Sequence, residues 1–219
     1  MSDGFRGFPG LEGRTKASCC IVIPVTKLER DIRSAIAVVN SRVQKYPLAF
    51  LTESDVQSAL FSALTPSYGI PAPLVETFAW GRGQQRKIKP VLSSRLHSEF
   101  LLPEGRIDLA ILDLNATRYA FSPSGRLGHV QLGPGGHAFI ELKVSRTHRS
   151  GISCRSVWQK RLSSDITKLA RYQWLSFLLA YDFDMFLSRS QVLELRKSAG
   201  PLTRLTYLAV KERSFFMGD

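Results

Sequence analysis

Phe139-Ile140-Glu141-Leu142-Lys143-Val144 places a carboxylate and an ammonium two residues apart inside an apolar run. Alternation with period two reads this as a strand. Ala138, Ile140, Leu142 and Val144 then share one face, uniformly apolar, while Glu141 and Lys143 share the other. A charged pair in a strand that is otherwise core material is expensive unless the charges are paired or bind metal. Gly105-Arg106-Ile107-Asp108-Leu109-Ala110-Ile111-Leu112 repeats the situation upstream with one inward carboxylate. Two such strands point to a divalent-cation site, and the lysine points to phosphodiester chemistry.

Outward from these strands, the apolar spacing of Leu28, Ile32, Ile36, Val39 and Val43 predicts a helix over 27–45, ended by Pro47. Thr52 opens a second helix, with Asp55 in capping-box position, that runs to about Leu64. Val56, Leu60 and Leu64 form its apolar stripe. Glu53 lies on the stripe, Gln57 at its edge, and Asp55 on the opposite, solvent face. Strands are expected over 74–80, 91–100 and 106–114, with a basic turn over 81–89 and a Gly/Ser/Pro-rich loop over 122–136. After the Glu141 strand come a basic loop over 146–163, a helix over 165–179, a strand over 180–186, a helix over 191–197 and a strand over 205–210. Residues 1–18, rich in glycine and polar side chains, read as a mobile leader. Residues 19–219 then form one domain, a size that supports a substantial core.

The charge balance is 30 Lys and Arg against 18 Asp and Glu, or +12, which favours a polyanionic partner. Cys19, Cys20 and Cys154 have neither zinc-ligand spacing nor an even count, so a reducing, cytoplasmic setting is expected and a disulfide framework is not. No run reaches transmembrane length. His97, His129, His137 and His148 lack zinc spacing, and His129 and His137, flanking the glycine loop, are expected in solvent. Trp80, Trp158 and Trp174 are read as core. No P-loop or nucleophile elbow is present.

Each acid has an ordinary reading of its own: Glu53 as a solvated first-turn residue, Asp108 as a partner of Arg106. Their conjunction with E-x-K decides the matter. Over about residues 50–186 the chain resembles the PD-(D/E)XK nuclease superfamily. The matching pieces are Thr52-Glu53-Ser54-Asp55-Val56-Gln57, Arg106-Ile107-Asp108, Ile140-Glu141-Leu142-Lys143 and the helical Asp165-Ile166-Thr167-Lys168-Leu169. Ile107 replaces the proline of the family pattern. The resemblance implies a restriction-endonuclease-like α/β fold, with a central mixed sheet flanked by helices and an N-terminal helical extension. It implies a Mg²⁺-dependent nuclease, with Mn²⁺ as a substitute, most readily acting on DNA. Asp108, Glu141 and the Leu142 carbonyl would hold the principal ion, Glu53 a second ion or a metal-bound water. Lys143 would orient the attacking water and stabilise the developing charge. Arg82, Arg86, Lys87, Arg146, Arg149, Arg155, Lys160, Arg161 and Lys168 would contact the nucleic-acid backbone. Two other classes stay open: a non-cleaving nucleic-acid-binding subunit of a larger machine, and a basic structural or assembly protein whose acids are salt-bridge partners.

Overall fold

The computed structural model describes residues 26–69, 72–81, 84–102, 105–121, 127–146 and 154–210. The expectation of a mobile leader over 1–18 lies outside the described residues. Helix α1 (Thr26–Lys45) buries Ile32, Ile36, Val39 and Val43 on one stripe. Its Glu29 and its terminal Arg42 and Lys45 complement the helix dipole. A short 3₁₀ turn (Pro47–Ala49) leads to α2 (Glu53–Leu64). The expected capping box is present: Thr52 Oγ1 accepts from the Asp55 N–H, and the Asp55 carboxylate accepts from Thr52 N–H. Val56, Leu60 and Leu64 are buried.

Among the described residues, nine strands follow the two helices, with two further helices between them. In chain order these are β1 (Ala72–Gly81), β2 (Gln84–Ser93), β3 (Leu96–Leu102), β4 (Gly105–Ile111), β5 (Thr117–Phe121), β6 (Leu127–Leu132), β7 (Ala138–Ser145), α3 (Arg155–Ala170), β8 (Leu175–Asp182), α4 (Arg189–Ser198) and β9 (Thr203–Ala209). A mixed five-stranded sheet runs β3-β4-β7-β8-β9, antiparallel through β3, β4 and β7 and parallel through β7, β8 and β9. Helices α3 and α4 are the crossovers that parallel pairing demands. Strand β8 is buried at all eight positions, the pattern of a strand covered on both faces.

The two faces of this sheet carry separate cores. Ala138, Ile140, Leu142, Val144, Phe177 and Leu179 pack with the stripes of α1 and α2. Phe139, Leu178 and Ala180 pack with Trp158, Leu162, Ile166 and Leu169 of α3 and with Val192 and Leu195 of α4. A second sheet, β2-β1-β5-β6, joins β1 to β5 in parallel and its other pairs antiparallel.

Several expected boundaries are corrected. The segment 84–89, read as a basic turn, is strand, with Arg86 opposite Ala79 and Lys87 opposite Phe78. The single strand expected over 91–100 is interrupted at Ser94-Arg95, where Ser94 Oγ accepts from the Leu96 N–H and turns the chain. The glycine-rich segment contains β6, and β5 has no counterpart among the expected strands. Helix α3 starts at Arg155 rather than 165, so Arg155, Lys160 and Arg161 are helical. It ends at Ala170, and the strand expected over 180–186 is β8 at 175–182.

Candidate active site

The β4–β7 ladder pairs Ile111 with Ala138, Ala110 with Phe139 and Leu109 with Ile140. The paired register stops there, one residue short of Asp108 and Glu141. There the ladder gives way: Asp108 Oδ2 accepts the Leu142 N–H at 2.6 Å, a side chain doing what a backbone carbonyl would otherwise do. Gln57 of α2 donates to the Asp108 carbonyl oxygen at 2.8 Å and to Glu99 Oε1 at 2.9 Å. Glu99 also meets Arg106 Nε at 2.6 Å and takes a left-handed φ of 53°. Helix α2 therefore fixes the strand on which Asp108 stands.

Glu141 is 4% exposed, and such a charge survives there only with partners. Lys143 Nζ donates to its Oε1 at 3.1 Å and to the Leu142 carbonyl at 2.7 Å. Lys168 Nζ of α3 lies 2.9 Å from Glu141 Oε2 and donates to the Arg106 carbonyl at 3.1 Å. Lys143 Nζ is also 3.7 Å from Glu53 Oε2 and 3.7 Å from Asp165 Oδ2. Asp165 Oδ1 in turn is 3.7 Å from Lys168. Glu53 comes from the first turn of α2, and Asp165 and Lys168 come from α3. Charges from the helices of both layers thus meet around one lysine.

Electrostatics follow from this crowding. Burial, then the neighbouring Glu141, pushes the Asp108 carboxyl up to about 6, against the opposing pull of the Leu142 N–H and Lys143. Burial alone would lower Lys143, but Glu141, Asp165, Glu53 and Asp108 more than reverse that and hold it charged. Asp165 is raised, by burial first, with Lys143 opposing. Among the described residues, the four carboxylates and two ammoniums of the site leave a formal −2 in a chain whose total is +12. Glu141 Oε2 and Asp165 Oδ2 are buried and accept no well-aligned hydrogen bond.

A hard divalent cation suits this donor set of carboxylate oxygens and a backbone carbonyl. Among the described residues no three acidic, histidine or cysteine side chains already form a metal cage. Lys143 and Lys168 stand as shared counter-ions among the carboxylates.

The expected catalytic residues Glu53, Asp108, Glu141 and Lys143 are therefore brought together, with the Leu142 carbonyl beside them. The expected phosphate contacts are more scattered. Arg82 and Arg149 lie outside the described residues, as do the side chains of Arg86 and Lys87. Arg155, Lys160 and Arg161 are exposed on α3. Arg146 is engaged within the fold, donating to the Pro47 carbonyl at 2.8 Å with its guanidinium 4.0 Å from the Phe183 ring. Lys168 is half-buried in the site rather than on the open surface.

Asp55 also departs from expectation. Its carboxylate accepts from the N–H groups of Leu51 and Thr52 and is half-buried, because capping draws it back onto the chain. His137, expected in solvent, is 1% exposed. Its Nδ1 accepts from the Asp113 N–H, its Nε2 lies 3.0 Å from the Gly133 carbonyl, and Trp174 meets it edge-on. Burial lowers its pKa. Trp158 is core, as expected.

Sequence reasoning misses three residues of the site: Asp165, Gln57 and Glu99. The signal for Asp165 is present in the chain. The stripe Trp158, Leu162, Ile166, Leu169 defines α3, and once that helix is phased, Asp165 and Lys168 share its flank. Glu99 has no comparable sequence signal.

Comparison with protein families, with curated proteins and with solved structures finds no match to this chain.

Proposed function

We propose that this chain is a divalent-cation-dependent nuclease of the PD-(D/E)XK, restriction-endonuclease-like kind, acting on DNA. The observation that carries the reading is Asp108 held against β7 by the Leu142 N–H, with Lys143 Nζ reaching both Glu141 and Glu53. Asp108, Glu141 and the Leu142 carbonyl are the groups that would hold Mg²⁺ or Mn²⁺, with Glu53 behind them. A bound Mg²⁺ supplies water activation and charge neutralisation at the phosphorus.

The chain's own residues account for the rest. Gln57 and the Leu142 N–H orient Asp108 from two sides. Lys143 stays cationic because four acids surround it, so its ammonium serves as a fixed charge for the transferring phosphoryl oxygens and an orienting donor for the attacking water. Arg155, Lys160 and Arg161 offer an exposed cationic surface for the sugar–phosphate backbone.

One observation favours a second reading, a nucleic-acid-binding subunit that does not cleave. Lys143 and Lys168 already neutralise much of the acid cluster. Incubating plasmid, linear DNA, single-stranded DNA and RNA with wild type and Asp108→Ala, under Mg²⁺, Mn²⁺ or EDTA, separates the two. The nuclease reading predicts metal-dependent cleavage by wild type alone. Equal cleavage by both proteins would trace the activity to a contaminant, and no cleavage of any substrate would favour the binder.

A further inference from the structure

Lys168 and Asp165 stand outside the E-x-K strand yet complete its charge arrangement. Each oxygen of Glu141 has its own ammonium: Lys143 at Oε1, 3.1 Å, and Lys168 at Oε2, 2.9 Å. The two pairings differ in kind. Lys143 makes a directed hydrogen bond, is tied to the neighbouring Leu142 carbonyl and sits on the same strand as Glu141. Lys168 approaches Oε2 off-axis, and that oxygen accepts no well-aligned hydrogen bond. Its stem comes from α3, and a second carboxylate, Asp165, waits one turn back on the same helix at 3.7 Å.

We propose that Lys168 is the resting counter-ion of Glu141, and that a divalent cation binds by displacing its ammonium, which transfers to Asp165. The inference rests on the reading of Glu141 as a cation ligand. Charge favours the exchange. An ammonium 2.9 Å from Oε2 repels an arriving cation and crowds the approach to that oxygen. With Lys143 alone left on Oε1, Oε2 would stay buried and uncompensated, so the incoming cation takes the place that Lys168 gives up. Asp165 gives the displaced ammonium a destination without a large movement of α3. The exchange would keep the acids neutralised before metal arrives and keep a cation beside the scissile phosphate afterwards.

The test is Mn²⁺ binding to the full chain, by titration calorimetry or by the electron paramagnetic signal of free Mn²⁺. At separations near 4 Å and an effective dielectric of about 20, removing a competing charge is worth several RT. Lys168→Met, which keeps the side-chain volume, should therefore bind Mn²⁺ at least about tenfold more tightly than wild type. Lys168→Arg should stay near wild type, and Lys197→Met, an exposed lysine on α4, should be unchanged. A second measurement needs no folded variant: with lysine side chains isotopically labelled at the ε-carbon, Mg²⁺ should move the Lys168 resonance and leave Lys197 in place. Mn²⁺ bound by Lys168→Met but not detectably by wild type would support the exchange. Equal or weaker binding by Lys168→Met, no Mn²⁺ binding by either protein, or a Lys168 resonance indifferent to Mg²⁺ would overturn it. Cleavage is not read in these experiments. A chain that exchanges as described yet cuts nothing would refute the nuclease reading alone.

Discussion

The two faces of β7 are built from the same eight residues and do opposite things. On one face Ala138, Ile140, Leu142 and Val144 are sealed against α1 and α2, each 2% exposed or less. On the other, Phe139 is sealed against the α3 layer, but Glu141 and Lys143 enter the cluster of charged side chains that α2, α3 and β4 complete. The first face gains from every methylene removed from water. The second borders a cluster whose four carboxylates and two ammoniums leave a formal −2. Breaking a buried ion pair by deleting one partner costs about 3–5 kcal/mol, whereas a well-packed apolar replacement of the whole set is often neutral. On the nuclease reading proposed above, the strand keeps these charges for chemistry, not for the fold.

The contrast can be broken from the apolar side first. Ile140→Ala should lower stability by about 2–5 kcal/mol, because a wholly buried side chain leaves a cavity between β7 and the α1–α2 layer. Denaturant unfolding would read the loss, and cleavage per folded molecule should be retained. A loss below about 1 kcal/mol would mean that this face is not what holds the fold together.

The polar face should respond to pH instead. The folded Asp108 pKa, about 6, lies above the ordinary carboxylate value of 3.8. The folded state then prefers the protonated form. The penalty of ionising Asp108 is fully present above about pH 6 and is relieved as pH falls through that value. In EDTA, stability at this site should rise between neutrality and pH 5, and Asp108→Asn should remove that dependence. Identical pH–stability curves for wild type and Asp108→Asn would contradict this placement of Asp108.

Smaller effects should appear at the edge of the site. Asp55→Ala removes the carboxylate that accepts from Leu51 and Thr52, and should cost about 1 kcal/mol through α2 with little change in chemistry. Thermal melts beside cleavage rates would show the split. Lys160→Glu with Arg155→Glu should leave both stability and the chemical step nearly unchanged. DNA affinity should weaken alike for all sequences, with the salt slope reduced by about one for each phosphate no longer neutralised. A sequence-selective weakening would give these residues a reading role instead.

Periodicity makes the two helices before the sheet and the core strands legible. In α1 and α2 the apolar spacing and the Thr52 cap agree with the tertiary packing, so local and global signals coincide. In β7 the apolar face and the E-x-K face separate cleanly by alternation. The second sheet is less legible. Gln84-Gln85-Arg86-Lys87 has no apolar alternation, and its strand is set by pairing with β1, a non-local fact. The start of α3 is hidden by its polar first turns, and Cys154 at the cap position makes no side-chain capping bond to the helix backbone. Asp165 falls within the helix read from the sequence, but without the first turns of α3 that helix cannot be phased toward the site, while Glu53, Asp108, Glu141 and Lys143 can be read from the elements they sit on. Glu99 is beyond reach, since its role depends on a left-handed turn in β3 and on Gln57 arriving from α2.

If the polar face of β7 is kept for chemistry and not for the fold, Glu141 is where the two can be told apart. The most direct measurement is Glu141→Gln beside wild type, with melting temperature, DNA affinity and Mg²⁺-dependent cleavage taken on the same preparations. The variant should fold, and its DNA binding should be retained or tighter, because a negative charge facing phosphate has gone. Its cleavage rate should fall by roughly 10²–10³-fold or more. Cleavage equal to wild type, or a loss of cleavage that merely tracks unfolding, would contradict a chemical role for this face.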